Sequence, residues 1–144
     1  MKAIKENSHY LAFIVAFVAM CGSLFFSEVL KFPPCILCWY QRICMYPIVG
    51  LLAIGIYFRD KYVYRSVLLL ASIGILISLY HNLLYYKILP ESVAPCTAGV
   101  SCTTKFIEYF GFVTIPFLSG TAFALIIIFM LLYRRSIKGQ VKKK

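Results

Sequence analysis

Four apolar stretches, roughly 10–30, 38–58, 67–86 and 110–133, constrain this chain more than anything else in it. Each is close to the ~20 residues that a helix needs to cross the hydrocarbon core of a bilayer, and each is too long for a strand. Inside a bilayer no water satisfies backbone N–H and C=O groups, so spans of this length must be helices. Composition agrees: 62% of the 144 residues are hydrophobic and 14% are charged, which is far from a soluble domain. The connections are short enough to make sequential neighbours antiparallel. The expectation is an all-α membrane protein, a single integral domain over 1–144 built as a four-transmembrane-helix antiparallel bundle.

The net charge of +10 is distributed by topology. Lys2 and Lys5 precede the first span, Arg59, Lys61 and Arg65 join the second to the third, and Arg134, Arg135, Lys138, Lys142, Lys143 and Lys144 follow the fourth. Those eleven lie on one side, against Lys31, Lys87, Lys105 and the edge residue Arg42 on the other. The positive-inside rule then puts both termini in the cytoplasm of a multi-pass protein of the cell membrane. The basic residues have no interleaved aromatics and no recognition motif, which argues against nucleic acid. The first apolar run is longer than a signal peptide's and no small-x-small site follows it, so it reads as an uncleaved helix. Met20 stands where a lipoprotein site before Cys21 needs a small residue.

Two connections face outward in this topology, about 31–37 and 87–109. The first leads into "FPPCILCWYQR" and the second carries "PCTAGVSC", so Cys35, Cys38, Cys96 and Cys102 share the extracytoplasmic side. Cys21 and Cys44 fall within spans and read as small packing residues, and Glu28 as an interface residue. Outside the cytoplasm thiols oxidise and persist as disulfides, so the close pairs read as Cys35 with Cys38 and Cys96 with Cys102. A stabilising disulfide ties distant parts of the chain together. These tie almost nothing, and small exchangeable rings suit redox chemistry instead.

Pro33 and Pro34 favour an extended entry into a helix start, which places Cys35 at or near the first turn of span two. There the unpaired N–H groups stabilise a thiolate, the reactive form of the side chain. Arg42 lies one turn beyond Cys38 on the same helix face. An ionisable residue at that depth has a function by default, here holding a thiolate or a reduced, anionic acceptor, although snorkelling or pairing with a carbonyl would also accommodate it. The chain has no haem-attachment sequence and no dinucleotide fingerprint, so an acceptor arriving through the lipid, a membrane quinone, fits best. Two competing readings use the same cysteines: a zinc site of four thiolates, and a pair of purely structural disulfides. Pro47 inside span two frees the carbonyl of Ile43 and predicts a kink.

"PCILCWYQR" in a four-span chain, with "YHN" late in span three and a second outer cysteine pair, closely resembles the DsbB/BdbC family of disulfide bond formation proteins, in its shorter branch. The likeness runs over nearly the whole chain. It implies a protein-disulfide:quinone oxidoreductase that reoxidises a soluble or membrane-anchored extracytoplasmic thioredoxin-like thiol oxidase and so supports disulfide formation in secreted proteins. It implies further that Cys96 and Cys102 exchange with that partner, Cys96 being the sulfur attacked. Cys35 then exchanges with the loop, Cys38 is the quinone-proximal thiol, and ubiquinone or menaquinone is held near Arg42 and His81. A related alternative is a quinone reductase like the vitamin K epoxide reductases, which share a four-helix bundle and a CxxC but in the reverse order along the chain.

Overall fold

The structure, a computed structural model, describes residues 7–31, 34–88 and 114–141. Within them the chain forms four long helices: α1, Ser8–Leu24, continued by a π-helical turn Phe25–Val29; α2, Ile36–Tyr57; α3, Val63–Tyr85; and α4, Ile115–Val141. All four are long and apolar enough to cross a membrane. Cys96 and Cys102, and nearly all of the 87–109 connection, lie outside the described residues.

Packing closes a ring in which α1 lies against α2 and α4, and α3 lies against the same two. The core between them combines small and branched residues, Ala12 and Ala16 from α1, Ile48 and Leu52 from α2, Val67 and Ala71 from α3, with the larger Phe123, Ile126 and Met130 from α4. Large apolar side chains such as Ile54, Leu69, Leu76 and Ile128 point outward, as lipid-facing positions do. Lipid tails are as apolar as the side chains, so close backbone approach rather than hydrophobic contrast must hold such helices together. Gly74 shows this: a Cβ there would run into the ring of Phe123, which is fully buried on α4. Gly120 does the same nearer the site, where a Cβ would stand 2.7 Å from Ser78 Oγ.

The helix ends are closed locally. Arg59 and Lys87 take positive φ values of 53° and 56° just past α2 and α3. Around them Asp60 N–H donates to Gly55 O at 2.9 Å and Ile88 N–H to Leu83 O at 3.0 Å, the six-to-one bond of a Schellman end. The fourth helix continues past the apolar limit expected near 133, through Arg134, Arg135 and Lys138. Arginine and lysine are good helix formers, so the change from lipid to water ends the apolar pattern without ending the helix. Pro47 likewise lies within α2, which runs on through it.

Candidate active site

The first residues of α2 build the centre of the site. Pro34 lacks an N–H and restricts the chain, and Cys35 follows in an extended conformation, φ −70° and ψ 168°, as the N-cap of α2. Its sulfur accepts from the N–H of Cys38 at 3.4 Å, the role an Asp or Ser oxygen usually takes at this position. The same turn of helix sets the sulfurs of Cys35 and Cys38 3.0 Å apart. Cys35 is 7% exposed and packs with Leu37 and Leu84, whereas Cys38 is half-buried.

From α3 comes His81, 2% exposed, with Nε2 at 3.8 Å from the Cys35 sulfur. Its Nδ1 lies 3.1 Å from Nε2 of Gln41, a residue 6% exposed on α2. From α4 the hydroxyl of Ser119 donates to Gln41 Oε1 at 2.7 Å. Three helices thus contribute to one buried polar line ending on a cysteine. Hydrogen bonding with the Cys38 side chain, foremost, and then with His81 and the Cys38 N–H, brings the Cys35 thiol from its ordinary 9.0 down to about 4, against a burial that pushes it up.

Arg42 is half-buried and held by α1. Its Nε donates to Ser23 Oγ at 2.8 Å and its Nη2 to Ser23 O at 2.7 Å, with the guanidinium 5.6 Å from the centroid of the Trp39 ring. Ser23 lies in the last turn of α1, just before the π-helical residues, and its carbonyl accepts from the arginine and also from the Ser27 hydroxyl at 3.4 Å. The remaining guanidinium N–H groups have no acceptor among the described residues. Glu28 in the same turn is exposed.

These groups share one cavity of about 530 Å³. Cys35, Cys38, Arg42 and His81 line it on one side, and apolar residues of α1 such as Val15 and Val18 on the other. Tyr46, one turn beyond Arg42, lines it too, and its buried hydroxyl has no hydrogen-bond partner among the described residues. Cys35, Cys38 and His81 also offer three ligand atoms within 4.8 Å of one another, enough to grip a soft cation on three sides.

Of the residues singled out in the sequence, the structure brings Cys35, Cys38, Arg42 and His81 together, and Cys96 and Cys102 lie outside the described residues. Arg42 pairs with a carbonyl, one of the two roles open to it, while still lining the cavity. Cys44 is buried in the core, but Cys21 faces outward from α1, so it does not serve in packing: α1 turns that face away from the bundle. Gln41, Ser119, Ser23 and Tyr46 escape a reading of the sequence. The available signal is a set of uncharged polar residues inside apolar spans, and of these four only Gln41, beside Arg42, lies within the motif.

Comparisons with known proteins agree with one another. The family model described as "Disulfide bond formation protein DsbB" matches residues 5–133. The chain is 50% identical over 125 residues to the "Disulfide bond formation protein C" of Bacillus subtilis strain 168, covering 87% of this chain and 91% of that one. It is 46% identical over 130 residues to a "Probable disulfide formation protein C" of Halalkalibacterium halodurans, covering 90% and 95%, and 41% identical over 131 residues to a "Probable disulfide formation protein" of Oceanobacillus iheyensis, covering 90% of each. No solved structure matches the chain. A match over nearly the whole length, joined to four membrane-spanning helices and a buried CxxC, makes this chain a member of the DsbB family of disulfide bond formation proteins, a multi-pass membrane oxidoreductase.

Proposed function

We propose that the protein is a thiol:quinone oxidoreductase that reoxidises an extracytoplasmic thioredoxin-like dithiol oxidase, with its active face outside the cytoplasm and both termini inside. The observation that carries this reading is the shared cavity: one apolar chamber reaches Cys38, Arg42 and His81, beside a Cys35 thiol held far below its ordinary range. A dithiol lining a mostly apolar chamber among helices that can span a membrane is suited to an acceptor that travels in lipid.

The residues present fit a quinone. Apolar walls suit its ring, and the N–H groups of Arg42 not given to Ser23, with the Tyr46 hydroxyl, which has no partner among the described residues, suit its oxygens. A hydroxyl buried without a partner costs about 1–3 kcal/mol, which a ligand oxygen would recover. A quinone bound there supplies the two-electron, two-proton acceptor that returns the cysteine pair to its disulfide.

The rest is thiol–disulfide exchange by this chain's own sulfurs. A thiolate of the reduced partner attacks Cys96 of a Cys96–Cys102 disulfide, forming a mixed disulfide and releasing Cys102. Cys102 attacks Cys35 of the Cys35–Cys38 disulfide, and Cys38 leaves. The partner's second thiol then displaces Cys96, which closes again on Cys102 and releases Cys35. One partner disulfide is gained and one Cys35–Cys38 disulfide is lost, so two electrons move inward. Cys35 leaves easily because its thiolate is the stabilised one, and a leaving thiol of low pKa departs faster. Arg42, fixed by Ser23, presents a positive charge to the cavity beside Cys38.

The test is quinone reduction followed by absorbance, with the purified protein in detergent supplied with a reduced thioredoxin-like oxidase. The intact protein should reduce ubiquinone or menaquinone, and Cys35→Ser and Cys96→Ser should both stall. Reduction of neither quinone, together with zinc held stably by the reduced protein, would replace this reading with a metal site on Cys35, Cys38 and His81.

A further inference from the structure

The polar line behind Cys35 has a direction that can be worked out from its far end. Ser78, fully buried on α3, donates its hydroxyl proton to Pro116 O at 2.9 Å, nearer than the 3.3 Å to Ser119 Oγ. Pro116 lies in the first turn of α4, where the regular helical ladder also brings the N–H of Gly120 to the same carbonyl. A carbonyl oxygen has two acceptor positions, and both are then occupied. Ser119 also lies within 2.9 Å of that oxygen, but its hydroxyl proton finds the free acceptor at Gln41 Oε1, 2.7 Å away.

An amide whose oxygen is engaged by Ser119 must turn its NH₂ toward His81, 3.1 Å from Nδ1. A nitrogen that accepts a hydrogen bond carries no proton, so neutral His81 carries its proton on Nε2, the nitrogen facing the Cys35 sulfur. We propose that Gln41 and Ser119 are positioning residues that lock the tautomer of His81, so that the neutral imidazole acts on Cys35 as a hydrogen-bond donor to the thiolate and not as a base. This inference rests on Cys35 being a reacting thiol, and it assigns to two uncharged residues the task of holding a proton at one stated atom.

The choice of amide matters. A carboxylate at position 41 can only accept, so it would draw the proton to Nδ1 and leave the Nε2 lone pair against Cys35. A leucine would leave the tautomer unset. Among the described residues, the titratable and charged groups lining the cavity around Cys35 are Cys38, Arg42 and Tyr46 from α2 and His81 and Tyr85 from α3, while α1 and α4 contribute none. His9, the second histidine of the chain, stands at the start of α1, near Tyr133, and His9→Gln leaves His81 as the single histidine signal.

The experiment needs neither quinone nor partner, so it fails independently of the proposed turnover. The full chain carrying His9→Gln, reduced and in detergent, is labelled with ¹⁵N-histidine, and the two ring nitrogens are read by NMR. The same preparation is alkylated with iodoacetamide across pH, with Cys35 followed by mass spectrometry. Nε2 should be the protonated nitrogen of neutral His81, and Gln41→Glu should move that proton to Nδ1. Gln41→Leu should raise the pH midpoint of Cys35 alkylation by about one unit, a tenfold loss of thiolate below the midpoint. Ser119→Ala, which keeps Gln41, should move it the same way by less. A proton on Nδ1 without any substitution, or a midpoint unmoved in both Gln41→Leu and Ser119→Ala, overturns the lock.

Discussion

Cys35 and Tyr46 are the two residues whose behaviour alone is most informative. In the reduced protein the Cys35 thiol sits at about 4, so the reactive thiolate is fully present at neutral pH and is lost only as pH falls through about 4. A thiol at the ordinary 9.0 would already be almost wholly protonated at pH 7. Alkylation of Cys35, followed by mass spectrometry, should therefore stay fast down to about pH 5, and Cys38→Ser should move the midpoint upward because it removes the largest stabilising contact. Tyr46→Phe removes a buried hydroxyl that has no partner among the described residues. The unloaded protein should be as stable or more stable by about 1 kcal/mol in thermal unfolding, while quinone retained through purification should fall. An equal loss of stability and retention would mean that the hydroxyl has a structural partner instead.

At the scale of elements, the site depends on how near α3 and α4 come. Gly74 faces the Phe123 ring and Gly120 faces Ser78, so two glycines on opposite helices allow one close seam. Gly74→Ala should cost about 1–3 kcal/mol of stability, read as a lowered Tm, because Phe123 is fully buried and has nowhere to move. A Tm unchanged by that substitution would show that the seam is looser than drawn. The last turn of α1 does comparable work by presenting the Ser23 hydroxyl and carbonyl together to Arg42. Neither feature announces itself in sequence: a glycine in a span marks close approach in general, and a serine in a span does not name its partner.

For the whole molecule, the asymmetry of basic residues makes a topological prediction. Labelling of intact cells with a membrane-impermeant thiol reagent after reduction should modify single-cysteine variants at Cys96 and Cys102, and should miss a cysteine appended after Lys144. Labelling of the terminal cysteine alone would invert the topology. Fold class was legible in the sequence because a bilayer admits few structures, and four predominantly apolar runs of about 20 residues leave one arrangement of backbone hydrogen bonds. Cys35, Cys38 and Arg42 were legible as neighbours for a similar reason: they lie within eight residues of one another, and helix periodicity alone decides which of them share a face. His81 needed the resemblance to a family, since 46 residues separate it from Cys35 and no local rule spans that gap. Only the tertiary structure decided that Gln41 and Ser119 stand behind His81, that Ser23 holds Arg42, and that one cavity joins them. Those contacts come from which faces of four helices meet, and helices in lipid choose their faces by close packing and polar pairing, which hydropathy does not encode.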